Sequence, residues 1–116
     1  MRDNFIQNMI TVLNEYGFKQ DDQEFKRIEF RQQPGQSIII NGQRMDQPPQ
    51  NIEIVKLFTI IGDGYVENGD GSNRKDFTQI NFKVFVENEE QGSFEEGFYW
   101  DDFEYFKNVI KQLIEL

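Results

Sequence analysis

The spacing of apolar residues changes twice along this chain, and that change limits the folds open to it. Near the N-terminus Phe5, Met9, Val12, Leu13 and Tyr16 recur at intervals of three and four. That spacing gathers side chains on one face of an α-helix. From residue 25 the period falls to two, which sets alternate side chains on opposite faces of a strand. After Phe103 the helical period returns with Phe106, Ile110, Leu113 and Ile114.

The pattern predicts a helix over 3–16, with Asp3 as its cap and Gly17 at the left-handed position that ends it. After the polar run KQDDQ, a strand is expected with Lys26, Ile28 and Phe30 on one face. Phe25, Arg27, Glu29 and Arg31 fall on the other. Gln33-Pro34-Gly35-Gln36 reads as a turn, Ile38–Ile40 as a short strand, and Asn41-Gly42 as its end. The stretch QRMDQPPQ is expected to be an exposed connection, since Pro48 and Pro49 cannot occupy a central strand.

The segment 52–61 is apolar on both faces: Ile52, Ile54, Phe58 and Ile60 on one, Val55, Leu57 and Ile61 on the other. Such a strand belongs in the middle of a sheet. The run GDGYVENGDGSNRKD reads as a loop, residues 77–87 as a half-buried strand, ENEEQGS as a turn and 94–100 as a further strand. A closing helix over 102–114 has Asp101 or Asp102 as N-cap, and Asp101 with Glu104 has capping-box spacing. The order α-β-β-β-β-β-α over 116 residues describes a single α+β domain, an antiparallel meander of about five strands flanked by two helices.

A chain of this size buries roughly two thirds of its unfolded surface. Twelve Phe, four Tyr and one Trp supply much of that burial. The absence of cysteine and histidine removes disulfides, thiol nucleophiles, Ser–His and Cys–His catalysis and ordinary zinc sites. No cofactor is expected. The first residues form no continuous apolar stretch and no run is long enough for a bilayer, so the expected location is the cytoplasm, away from membranes.

The net charge of −9 is concentrated. Between Val84 and Phe106 lie eight acids (Glu87, Glu89, Glu90, Glu95, Glu96, Asp101, Asp102, Glu104) and no lysine or arginine. The other residues hold thirteen acids against twelve bases. The same window carries Phe85, Phe94, Phe98, Tyr99, Trp100, Phe103, Tyr105 and Phe106. A local negative potential of this kind repels nucleic acid and anionic lipid and attracts basic protein surfaces. An aromatic set among the acids supplies what an interface centre uses. The bland account explains part of the cluster: turns are solvated, and acids favour any helix N-terminus. Phe98, Phe103 and Phe106 read as core, while Trp100 fits either role. The candidate partner-binding residues are therefore Glu87, Glu89, Glu90, Glu95, Glu96, Tyr99, Asp101, Asp102, Glu104 and Tyr105.

Other motifs are weaker. Asp63, Glu67, Asn68, Asp70 and Asp76 offer oxygens for calcium, but an EF-hand register starting at Asn68 places Asn73 where Gly is required and Gln79 where Glu is required. The glycines of this run match neither a P-loop nor a dinucleotide fingerprint. No spacing singles out a carboxylate pair for glycosidase chemistry. Lys26, Arg27 and Arg31 form the one positive cluster, read here as charges that guard an edge strand.

Small size, acidity and the lack of catalytic groups match inhibitor, immunity and phage anti-defence proteins of the anti-CRISPR kind. These mimic nucleic acid and block a basic site on a nuclease or nucleic-acid-guided effector. The expectation is thus a non-enzymatic binding protein. The alternatives are an acidic secretion-type chaperone holding a protein client and a small carboxylate-based enzyme or ligand-binding domain. The sequence leaves the oligomeric state open.

Overall fold

The computed structural model describes residues 1–67 and 74–115. Helix α1 spans Arg2–Glu15 and buries Phe5, Met9 and Leu13. Its N-cap position is Met1, with no side-chain cap, so Asp3 is not the cap and lies instead in the first turn. There its charge faces the positive end of the helix dipole. The C-terminus closes as expected. Gly17 takes φ +85°, its N–H donates to Asn14 O at 3.0 Å, and Phe18 N–H donates to Leu13 O at 2.9 Å. This paired closure requires a left-handed residue, which glycine adopts without a Cβ clash.

Seven strands follow: β1 (Lys19–Asp21), β2 (Glu24–Gln33), β3 (Ser37–Ile40), β4 (Gln43–Asp46), β5 (Gln50–Glu67), β6 (Arg74–Val86) and β7 (Glu89–Tyr99). Five of them form an antiparallel sheet in the order β1-β2-β5-β6-β7, and β3 with β4 forms a separate hairpin. The α+β meander read from the sequence is present, with β5 at its centre.

Its membership differs from the expectation in four places. The polar KQDDQ run contains β1 and a turn at Asp22 (φ +57°). QRMDQPPQ is not a plain connection, because Gln43–Asp46 pairs with Ser37–Ile40. Asn41 and Gly42 both have positive φ, the two-residue turn whose twist suits a hairpin, and the prolines only end β4. ENEEQGS is not all turn: Glu87 and Asn88 alone make it, again with positive φ, and β7 begins at Glu89. The glycine-rich loop is largely strand, since β5 runs to Glu67 and β6 starts at Arg74. Phe77 explains how glycine persists there. Its ring lies where side chains on Gly64 and Gly97 would stand, 2.7 and 3.0 Å from their ideal Cβ positions, so one aromatic covers two strands. Asn68 and Asp70, two of the oxygen donors considered for calcium, lie outside the described residues.

Both helices pack on one face of the sheet. Phe25, Phe58 and Phe82 are direct cross-strand neighbours on that face, and Ile80 and Phe98 extend it. Helix α2 (Phe103–Ile114) closes the layer with Phe106, Ile110 and Leu113. Asp102, rather than Asp101, is its N-cap and accepts from Tyr105 N–H at 3.3 Å. Phe106 meets Phe5 and Phe98 edge-on, with centroids 5.9 and 5.0 Å apart. A polar chain ties the ends of this layer. Trp100 Nε1–H donates to the Thr78 hydroxyl at 2.9 Å, and Thr78 donates to Asp63 at 3.0 Å. Asp63 in turn accepts from Arg2 at the start of α1.

The molecule is long. It measures 74 × 29 × 22 Å with a radius of gyration of 19.8 Å, against about 13–14 Å for a compact chain of this length. The β5–β6 ribbon extends past the helices at one end. The β3–β4 arm projects from the other, between Pro34 and Pro48-Pro49.

The packing yields two expectations for stability. Phe58→Ala should cost about 3–5 kcal/mol in urea unfolding, because Phe58 is fully buried between Phe18 and Phe82. Thr78→Val should cost about 1–3 kcal/mol by stranding the Trp100 N–H, and should change the fluorescence of the single tryptophan.

Candidate binding surface

Strand β7 is the outer strand of the sheet, so its exposure follows from topology. Glu89 to Tyr99 spans about 33 Å at strand rise. Alternation along β7 divides its acids. Glu95 lies on the face away from the helices, where it accepts from Gln79 at 3.1 Å. Glu96 lies on the helix face beside Tyr105. An irregular step near Gly92 shifts the register, leaving Glu90 opposite Phe85 and Glu89 opposite Val86. Glu87, in the preceding turn, accepts from Glu53 N–H at 3.0 Å.

At the other end of β7 the chain turns into α2. Asp101 is exposed and Asp102 caps the helix. Glu104 forms an i,i+3 pair with Lys107 at 3.6 Å, the one salt bridge made by these eight acids among the described residues. Partial burial pushes the Tyr105 hydroxyl above its ordinary pKa; Glu96, by charge and hydrogen bond, and Asp102 add to this. Tyr99 packs edge-on against Phe77 on the opposite face, with centroids 5.9 Å apart.

The candidate residues therefore do not form one compact patch. Glu96, Asp102 and Tyr105 meet at the α2 N-terminus, with Asp101 and Glu104 alongside. Glu95 and Tyr99 face the other way, and Glu87, Glu89 and Glu90 lie at the far end of β7. Together they make a strip along one edge of the sheet. Trp100, open to either role in the sequence, is a structural anchor through Thr78.

Two features escaped the sequence reading. The first is Lys56, whose side chain is 1% exposed. Its Nζ donates to Ile114 O at 2.8 Å, near the negative end of α2, and lies 3.7 Å from Glu29. Glu29 also pairs with Arg27 at 3.4 Å and Arg31 at 2.6 Å. The arginines of β2 thus gather around a half-buried carboxylate, a partner that their reading as edge guards did not include. Burial lowers the Lys56 pKa. Glu29 opposes that shift, while Arg31 and Arg27 add to it. The sequence signal was Lys56 standing in phase with Ile54 and Phe58.

The second feature is the sheet face opposite the helices. Ile28 and Phe30 are 52% and 67% exposed, and they lie opposite Val55 and Glu53 on β5. Ile28, Val55, Leu57 and Phe85 line a shallow concavity on this face, bordered by Lys26, Glu53 and Asn88.

No family model, curated protein or solved structure matches this chain. Among the described residues no helix is long and apolar enough to cross a membrane. Among the same residues no group of three or more carboxylates is placed to hold a metal ion.

Breaking this partly buried cluster from one side should be costly: Glu29→Gln leaves the buried Lys56 ammonium and two part-exposed arginines around a neutral amide and should destabilise the fold by about 1–3 kcal/mol. Lys56 also sets a pH dependence. The folded chain holds its proton less tightly than the unfolded chain does. Stability from this group therefore rises with pH between its lowered pKa and the ordinary lysine value of about 10.4. Urea midpoints across alkaline pH should show the wild type gaining on Lys56→Met.

Proposed function

We propose that this chain is a non-catalytic binding protein that engages a basic protein surface through the acidic strip formed by β7 and the start of α2. The observation that carries the reading is the placement of the acids. Eight carboxylates fall along one exposed edge, and Lys107 is their sole salt-bridge partner among the described residues. On the neighbouring strand Lys83 lies opposite Ser93. A negative field of this length is complementary to a groove built to hold a nucleic-acid backbone, and such fields speed encounter as well as adding affinity. Inhibition of a nuclease or nucleic-acid-guided effector by occupying that groove is the activity that fits.

A second reading draws on the open face. An apolar sheet surface beside an acidic edge also suits a chaperone that holds an extended client segment.

The test uses Glu89, Glu90 and Glu95, which are exposed and hold neither the α2 cap nor Tyr105. A tagged chain should capture a basic nucleic-acid-binding protein from its native setting in a stoichiometric complex. Raising salt should weaken that complex. Reversing the three charges to lysine should weaken it at least tenfold, about 1.4 kcal/mol, with thermal unfolding little changed. Binding indifferent to both salt and reversal would rule the proposal out.

A further inference from the structure

The sheet has two outer edges, and they are built differently. The β7 edge carries Glu89, Glu90, Glu95 and Glu96 and a register break, devices that discourage pairing with another strand. At the other edge β1 covers only Glu24–Lys26 of β2. From Arg27 to Gln33, β2 has no strand on its outer side among the described residues. Pro34 ends that stretch. The side chains that this stretch shows on the open face are Ile28, Phe30 and Gln32, the two apolar ones largely exposed.

The free stretch has its backbone groups aimed outward at defined residues. Ile60 N–H donates to Gln23 O at 2.9 Å, so Gln23 faces β5. Successive strand residues turn their N–H and C=O to opposite sides. Ile28, Phe30 and Gln32 therefore direct theirs away from β5.

We infer that this edge pairs with the same edge of a second copy, antiparallel about a two-fold axis through Phe30. The axis follows from the sequence of the stretch, since Phe30 is the midpoint of Arg27–Gln33. In that register Phe30 lies opposite Phe30 of the second copy and Ile28 opposite Gln32, each pair exchanging both backbone hydrogen bonds. On the helix face Glu29 lies opposite Arg31 of the second copy, and Arg31 opposite its Glu29. This cross-strand charge match is lost if the axis shifts to Glu29 or Arg31, where like charges meet. An isologous contact requires such self-complementarity.

The rest of the molecule is consistent with this partner. The acidic edges of the two copies end seven strand spacings apart, about 34 Å, well beyond a Debye length of about 8–10 Å. The high net charge therefore does not oppose the contact. Pro34, where the β3–β4 arm begins, ends the pairing just before Lys26 of the second copy, which that copy's own β1 already covers. The arm, with Ile38, Ile39, Ile40 and Met45 exposed, is thus directed along the other chain. A lone two-stranded hairpin is marginal in water, and a second copy gives it a surface.

The chain has no cysteine, which makes the register directly testable. Directly opposite residues of a hydrogen-bonded antiparallel pair have Cα atoms about 5.5 Å apart, within disulfide range. Phe30→Cys should give a cross-linked dimer under mild oxidation, and Gln91→Cys on the β7 edge should not. Sedimentation should give the mass of two chains for the wild type. Phe30→Pro, which removes an outward N–H not used by β5, and Phe30→Lys should both return one chain's mass with an unchanged circular-dichroism spectrum. A monomeric wild type would overturn the inference. So would a dimer that survives both Phe30 substitutions, or cross-linking through Gln91→Cys in preference to Phe30→Cys.

Discussion

Phenylalanine rings laid side by side across four antiparallel strands fix the register of this sheet and give the helices a surface to cover. Phe25, Phe58, Phe82 and Phe94 follow one another from β2 to β7 as direct cross-strand neighbours. A one-residue slip in any of these pairings would carry its ring to the opposite face. Aromatic contacts of this kind add about 0.5–1.5 kcal/mol each beyond the area they bury. Phe18 reaches Phe58 directly, and Phe5, Phe98 and Phe106 extend the aromatic layer between α1, β7 and α2. The aromatic richness of the sequence is thus mostly structural, with Phe94 and Tyr105 exposed within the acidic strip.

Charge is sorted by the same topology. The acids of residues 84–106 occupy an outer strand because that segment is the last of the meander. The arginines of β2 sit on the other side of β5, drawn around Glu29 and Lys56 beneath the end of α2. Burying a lysine costs desolvation, visible in its lowered pKa. Its retention is balanced by Glu29 and by the carbonyl end of the helix. The outcome is a strongly acidic molecule with one edge near neutrality.

That sorting relates surface to function. The described concavities are shallow, and the molecule offers edges and faces more than a pocket. One edge carries a guarded negative field suited to a basic partner. The other carries unguarded backbone groups and exposed apolar side chains suited to its own copy. A two-fold pairing would leave both acidic edges outward, so the two surfaces do not compete.

The sequence by itself determined the two helices, the central place of β5, the closure at Gly17 and the location of the acidic window. Each follows from local spacing or a single turn residue. It did not determine that Gln43–Asp46 and Glu89–Ser93 are strands, because polar residues carry no hydrophobic period and their pairing comes from partners. Nor did it show that Gly64 lies within a strand, since Phe77 supplies the side chain it lacks. For the candidate site the acids were legible, but their division between two faces was not, because a register shift at Gly92 is set by the neighbouring strand. Lys56 reads in the sequence as one polar residue in an apolar run, and only packing brought Glu29 and the Ile114 carbonyl to it. Spacing along the chain fixes what is local, while charge partners and free edges depend on which strands come to lie side by side.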